Sequence, residues 1–204
     1  MKKRGLLIVI SGPSGVGKGT VASKLLEKHD DICFSVSATT RAMREGEAEG
    51  VNYFYKTVEE FDAMIEKGEF LEYMRVFGKN YYGTPKSYVD SRRSDGMSVL
   101  LDIDVKGAMH VKSNCPDAVT IFIAPPSLKE LHRRLVGRGT ETPDAVARRF
   151  EEAKVELEYI PKYDYVVVND DLETAVQTIE SIISAVRCRP EYNPELLPAL
   201  RCEE

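Results

Sequence analysis

Basic charge is in short supply. The 204 residues carry 28 Lys and Arg against 33 Asp and Glu, a formal net charge of −5. A general nucleic-acid binder would be basic, so that class is not expected, and any anionic ligand must meet positive charge concentrated locally. Paired cysteines are lacking too. Cys33, Cys115, Cys188 and Cys202 are widely spaced with no CxxC, which argues against metal ligation or a disulfide framework and for reduced thiols. No hydrophobic run is long. Residues 6–10 follow a basic start, but the run is too short for a signal peptide's apolar region or a membrane span and reads as a buried strand. The expectation is therefore no nucleic-acid or membrane partner and a cytoplasmic location.

Hydrophobic residues make up 43% of the chain, enough for one compact domain that carries inserts. Residues 6–10, 99–103, 120–123 and Tyr165–Val168 are continuously apolar, as expected of strands covered on both faces, and 33–36 is a weaker candidate. Amphipathic stretches lie between them. Ser127 with Glu130 predicts a capping box ahead of Leu128, Leu131 and Leu135. Thr142 and Pro143 read as N-cap and first helical residue, followed by a stripe of Val146, Phe150, Ala153 and Leu157. Leu172, Val176, Ile179, Ile183 and Val186 predict a last helix with Asp170 as its N-cap. This alternation implies an α/β fold with a parallel sheet and right-handed crossovers. Residues 37–90 break the rhythm: they are polar and tyrosine-rich, with one helix predicted behind Thr57 and Glu60, and read as an inserted small domain. A second insert spans 137–150. The tail, 188–204, contains Pro190, Pro194 and Pro198 and is expected to lack regular structure.

The stretch ISGPSGVGKGT carries the first chemistry. Gly12, four intervening residues (Pro13, Ser14, Gly15, Val16), Gly17 and Lys18 follow a predicted strand and precede a helical pattern with Val21 and Leu25. That is the setting a phosphate-binding loop requires. Glycines let backbone N–H groups turn toward phosphate oxygens, the helix N-terminus adds partial positive charge, and Lys18 supplies a full one to the β- and γ-phosphates. The alternative is a glycine turn with no ligand. Gly19 stands where the loop usually has a Ser or Thr that touches magnesium, leaving Thr20 as the nearby hydroxyl. Magnesium keeps several waters, so it can be held by nucleotides and water, with Thr20, Asp102 and Asp104 as candidates for contact through water. Both aspartates end a predicted strand, at the sheet edge where open α/β folds bind ligands, although either could instead be a helix cap or loop residue.

The insert contains FSVSATTRAMREGEAEGVNYFY, with Arg41 and Arg44 near Glu47 and Tyr53, then Glu72 in GEFLEY and Tyr82 and Thr84 in NYYGT. Taken with SGPSGVGKGT, LLDID, APPS, GRGTET and VVND, these segments closely resemble the guanylate kinase family from Leu7 to about Val186. The resemblance implies a P-loop NTPase-type core (1–36, 91–136 and 151–187), a GMP-binding insert (37–90), a short helical lid (137–150), and transfer of phosphate from ATP to GMP with Mg²⁺, in purine nucleotide metabolism and GMP recycling. It implies that Arg41, Arg44, Tyr53 and Tyr82 hold the GMP phosphate, with Glu47 in the same group. Ser37, Glu72 and Thr84 would read guanine, Asp102 would lie near the acceptor and the metal's waters, and Asn169 would contact adenine. Elementary chemistry supports the base assignment. Guanine presents two adjacent donors, N1–H and the 2-amino group, which one carboxylate can accept together, and its O6 wants a donor such as the hydroxyl of Ser37 or Thr84. Adenine would leave Glu72 unpaired, a mismatch worth roughly 10⁴-fold or more in discrimination. Thr84 stands where some relatives have Ser, and Ala42 and Met43 fill a gap where proline is common.

Phosphoryl transfer needs alignment and charge neutralisation more than acid–base chemistry. Arg138, in GRGTET, and Arg149, at the edge of the Val146 stripe, are the expected lid cations, with which the resemblance agrees; Arg148 points away and is expected to pair with Glu152. Lys18, Arg41, Arg138 and Arg149 are thus the candidate catalytic residues. Two other readings remain at this point: a non-catalytic phosphopeptide-binding module of the kind found in scaffold proteins, and a kinase of another monophosphate. The oligomeric expectation is monomer or homodimer.

Overall fold

The computed structural model describes residues 3–76, 78–137 and 142–201. The chain runs through β1 (Leu7–Ser11), α1 (Lys18–Lys28), β2 (Ile32–Phe34), β3 (Ala38–Thr39), β4 (Phe54–Tyr55), α2 (Val58–Glu66), β5 (Phe70–Val76) and β6 (Asn80–Pro85). It continues through α3 (Lys86–Ser94), β7 (Ser98–Asp102), α4 (Val105–Asn114), β8 (Val119–Ala124), α5 (Leu128–Val136), α6 (Pro143–Leu157), β9 (Tyr165–Val168), α7 (Leu172–Arg187) and α8 (Leu196–Arg201).

Five strands form a parallel sheet in the order β2-β7-β1-β8-β9. The continuous apolar runs of β1, β7 and β8 have the cause inferred for them, but that of β9 does not: at the sheet edge, Val166 and Val168 are left half exposed. In β1, Ile8 and Ile10 pack toward α1, α5 and α7 with Val21, Leu25, Leu131 and Ile179. Leu7 and Val9 pack on the opposite face with Val89 of α3 and Ala108 and Val111 of α4. With both faces covered, neither side of the strand can be polar. Ser127 caps α5 by accepting the Glu130 N–H at 3.1 Å, but the Glu130 carboxylate turns to Arg133 and Arg134 at 2.7 and 2.8 Å. Those two guanidiniums hold its carboxyl down at about 2.

Residues 38–85 build a second sheet in the order β4-β3-β6-β5, with its own small core of Ala38, Phe61 and Phe70. Phe61 stacks on Phe70 and Tyr81 at 4.4 and 5.0 Å. The helix expected behind Thr57 is present, closed by a full capping box with Glu60. The sheet around it was not anticipated, because β3 and β4 are two residues long and show no alternation to read. Helix α3, whose first residues fall within the expected insert, packs Val89 into the core. Helix α6 runs unbroken through residue 150, so the lid and core ranges divide one helix.

Two expectations are corrected. The N-cap of α7 is Asp171, whose Oδ1 accepts the Thr174 N–H at 2.8 Å, and not Asp170; two adjacent aspartates offered the same signal, and only one reaches the N–H of the third helical residue. The tail is not irregular. Pro190–Tyr192 forms a 3₁₀ turn and α8 follows, because Tyr192 is buried and its hydroxyl donates to the Asp117 carbonyl at 3.1 Å, tying the segment down. Among the described residues no helix is long and apolar enough to cross a membrane.

Arg93, at the end of α3, is fully buried. Its Nε donates to the Gly5 carbonyl at 2.9 Å, and its guanidinium pairs with Asp117. It joins the helix leaving the second sheet to the first core strand. Removing Arg93 leaves the Gly5 carbonyl without its side-chain donor, whereas Asp117 is 40% exposed and stays solvated. Arg93→Ala is expected to lower stability by about 1–3 kcal/mol in urea unfolding; a change under about 0.5 kcal/mol, the scale of a surface substitution, would contradict this role.

Candidate active site

The glycine loop leaves the C-terminal edge of β1 and enters α1. Gly12 has φ 143°, and a Cβ there would lie 2.3 Å from the Ile123 carbonyl oxygen, so the loop can pass β8 this closely only as glycine. Gly17, with φ 92°, is the N-cap of α1. Lys18 folds back over the loop, its Nζ donating to the Gly12 and Pro13 carbonyls at 2.6 and 3.2 Å. Above it, Arg149 of α6 donates to the Ser14 hydroxyl at 3.3 Å, so the second insert's helix reaches the loop as its stripe predicts. Arg148 faces solvent beside Glu152 at 4.0 Å. Arg138 lies outside the described residues.

Asn169 supports the loop from behind. Its Nδ2 donates to the buried Val16 carbonyl at 2.7 Å, and Arg134 donates to its backbone oxygen at 2.9 Å. The side chain expected at adenine is thus engaged with the loop itself.

Asp102 ends β7 beside the loop. Burial pushes its carboxyl above the ordinary aspartate value, and the Lys18 charge opposes that shift. Asp104 instead caps α4, Oδ1 accepting the Gly107 N–H at 2.7 Å. A Cβ on Gly19 would meet only Asp102 Oδ2, at 3.8 Å, so the backbone does not demand glycine at this position. Thr20 is exposed on the first turn of α1. Among the described residues no three His, Cys, Asp or Glu side chains gather as a metal cage. This donor set fits an ion carried by phosphates and water rather than one held by the protein alone.

Asp102 also belongs to a cleft of about 610 Å³ between the two sheets. The cleft brings together Ser37, Tyr53, Glu72, Tyr82, Asp102 and Asp104, all named from sequence. Glu72 is 7% exposed, and Thr84 donates its hydroxyl to Glu72 Oε1 at 2.7 Å. Burial pushes the Glu72 carboxyl up; the Thr84 bond opposes this and the charge of Asp104 adds to it. With its proton on Glu72, Thr84 orients the carboxylate and leaves Ser37 as the better placed hydroxyl donor of the two for a ligand.

Arg41 lies against Tyr53, guanidinium carbon 5.3 Å from the ring centroid, and Tyr53 meets Tyr82 edge-on at 5.8 Å. Glu47 grips Arg41 bidentately at 2.7 and 3.0 Å, and this ion pair holds the Glu47 carboxyl down at about 2. Arg44 offers its backbone N–H to Glu47 at 2.8 Å while its side chain is exposed, outside the cleft lining. Sequence reasoning missed Tyr55, whose hydroxyl donates to Glu47 at 2.7 Å; its two-residue spacing from Tyr53 on a strand was the available signal. It also missed Glu156 of α6, whose carboxyl burial raises while Lys18 and the Ser14 N–H oppose.

The geometry therefore joins a phosphate loop to a cleft with a buried carboxylate and a caged arginine. A sequence profile described as guanylate kinase matches residues 4–186. The chain belongs to the guanylate kinase family. It is 55% identical over 194 residues to the guanylate kinase of Clostridium perfringens (strain SM101 / Type A), covering 95% of this chain and 89% of that protein. It is 50% identical over 203 residues to the guanylate kinase of Caldanaerobacter subterraneus subsp. tengcongensis, covering 100% and 98%. Among solved structures, the guanylate kinase from Anaplasma phagocytophilum matches with a TM-score of 0.70 at 38% identity, covering 94% of this chain and 90% of that one.

Asn169→Ala removes the donor on a buried loop carbonyl, which costs about 1–3 kcal/mol. The expected outcome is a lower thermal midpoint in the free protein. An unchanged midpoint would return Asn169 to a purely ligand-facing role.

Proposed function

We propose that this protein transfers the γ-phosphoryl group of ATP to GMP, and to dGMP, in the cytoplasm. The observation that carries this reading is the buried Glu72 carboxylate, oriented by Thr84 in a cleft that shares Asp102 with the phosphate loop. Glu72 would accept guanine N1–H and the 2-amino group, and Ser37 would donate to O6. Arg41, Arg44, Tyr53 and Tyr82 would hold the phosphate, with Arg41 exchanging Glu47 for the ligand. That exchange is favourable because a dianionic phosphate offers a guanidinium more charge than one carboxylate does.

The residues 12–20 would cradle the ATP phosphates, Lys18 on the β- and γ-groups. A GMP phosphate oxygen attacks the γ-phosphorus in line, the bond from that phosphorus to the β,γ-bridging oxygen breaks, and ADP departs with the electron pair. GMP phosphate is largely ionised at neutral pH, so no general base is required. Lys18, Arg138 and Arg149 would neutralise the charge on the transferring group. A magnesium ion on the ATP phosphates would supply further neutralisation, with Thr20 and Asp102, and less directly Asp104, holding its waters. Closure of the second sheet and of α6 over the nucleotides would exclude water and favour transfer over hydrolysis.

The test is ADP release across GMP, dGMP, AMP, CMP and UMP. Activity with GMP and dGMP alone is expected. Activity with AMP alone would refute the base assignment, and inactivity with all five would favour a binding module.

Lys18→Met is expected to depress kcat by a hundredfold or more, roughly the loss of one charge-stabilising donor, with a smaller change in KM for GMP. Equal turnover would remove Lys18 from the transferring phosphates. Glu72→Gln keeps one acceptor oxygen and adds a donor facing guanine's donors. It should lower kcat/KM for GMP and narrow the GMP-to-AMP preference; an unchanged preference would show that Glu72 does not read the base.

The pH profile follows from the direction of the Glu72 shift. Its pKa is raised in the free protein, so on acidification it loses its charge at a higher pH than an ordinary glutamate. Since kcat/KM reports free-enzyme groups, the wild type should fall on the acid side more steeply than Glu72→Gln, which retains the titration of the GMP phosphate and of Asp102, whose carboxyl is also raised by burial, but not that of residue 72. Identical acid limbs would contradict the assignment.

A further inference from the structure

One side chain in the acceptor cleft has no part in the scheme above. Ser35 lines the cleft and is 8% exposed, and its hydroxyl has no hydrogen-bond partner among the described residues. Burying a hydroxyl unpaired is unfavourable, so such a group in a native fold calls for a reason. Two other buried hydroxyls, on Ser11 and Tyr163, lie against each other and do not line the cleft.

The backbone explains why Ser35 is held so firmly. Its N–H donates to the Leu100 carbonyl at 2.9 Å, the last rung of the core sheet on that strand. Two residues on, the Ser37 carbonyl accepts the Phe54 N–H at 2.9 Å, joining the second sheet. Residues 35–37 therefore carry the chain from one sheet to the other. The whole connecting segment borders the cleft, with Phe34, Ser35, Val36 and Ser37 in its lining. The nearby carboxylate of Glu72 takes its hydrogen bond from Thr84 rather than from Ser35.

We infer that Ser35 is a further binding residue for the acceptor nucleotide, its hydroxyl, sealed from solvent in the free protein, turning about χ1 into the cleft to find in the bound nucleoside monophosphate the partner that the free protein does not offer. The contact sits where the second sheet is joined to the core, so it ties recognition of the acceptor to the segment about which closure would turn. This rests on GMP being the acceptor.

The test is Ser35→Ala, of near-equal volume, with Ser35→Cys as a second variant that keeps a polar hydrogen but is bulkier and bonds much more weakly, both in the full chain. Calorimetry should give a Kd for GMP raised about three- to tenfold in each, the share of one neutral hydrogen bond. The KM for GMP should rise in step, while kcat and the KM for ATP stay near wild type. The thermal midpoint of the free protein should be unchanged or higher, because an unpaired buried hydroxyl has been removed. Unchanged affinity for GMP in both variants would overturn the inference. So would a lowered midpoint with unchanged affinity, which would mean that a buried water satisfies the hydroxyl in the free protein. A wild type inactive with GMP would instead overturn the acceptor assignment itself, so the two failures are distinct.

Discussion

Glu72 has to remain a usable carboxylate while only 7% exposed, and the acceptor side of the molecule is arranged around that demand. An isolated buried charge is prohibitively costly and would neutralise instead. The register of β5 on β6 sets Glu72 directly opposite Thr84, whose hydroxyl supplies the compensating bond. Across the cleft the first turn of α4 must come close, and it does so at Gly107, where a Cβ would lie 3.4 Å from Glu72 Oε2. Asp104 is drawn off into capping that same helix, so that one of its oxygens faces the Gly107 N–H. The remaining upward shift of the carboxyl leaves Glu72 ready for a ligand that brings donors.

The donor side answers a different constraint. A parallel sheet covered on both faces leaves only its edge for polar chemistry, and the loop at residues 12–17, Asp102 and the start of α4 all emerge there. Lys18 rests on the loop's carbonyls and Arg41 on Glu47, so two cations central to the proposed transfer are already paired. Charges held this way keep their geometry, and anionic substrates can take them over by exchange.

Much of this was legible in the sequence because burial imposes strong patterns. Core strands appear as unbroken apolar runs; β9 matches its predicted range residue for residue, yet as an edge strand it leaves Val166 and Val168 half exposed, so its apolar run did not mean cover on both faces. The loop was readable from spacing, and Glu72, Ser37, Tyr53, Tyr82 and Asp102 do meet in one cleft. What escaped was structure fixed by contacts between distant residues. The second sheet has strands too short to carry a period, and α8 follows a turn held by Tyr192 on Asp117. Asp170 and Asp171 carry the same capping signal, and only the backbone path chooses between them. Asn169 resembles a ligand contact by motif, yet its amide serves Val16, a residue 153 positions away. Ser35 and Tyr55 went unnoticed beside Ser37 and Tyr53, because what marks them, an unpaired buried hydroxyl and a bond to Glu47, exists only in the folded chain.

The central claim, that a buried carboxylate reads a purine whose phosphate is held by arginines, is tested most directly by a crystal structure with GMP. The account expects the N1 and 2-amino edge of guanine on Glu72 and the phosphate on Arg41 and Arg44, with the Arg41–Glu47 pair opened. A base bound away from Glu72, or a phosphate that avoids both arginines, would contradict it.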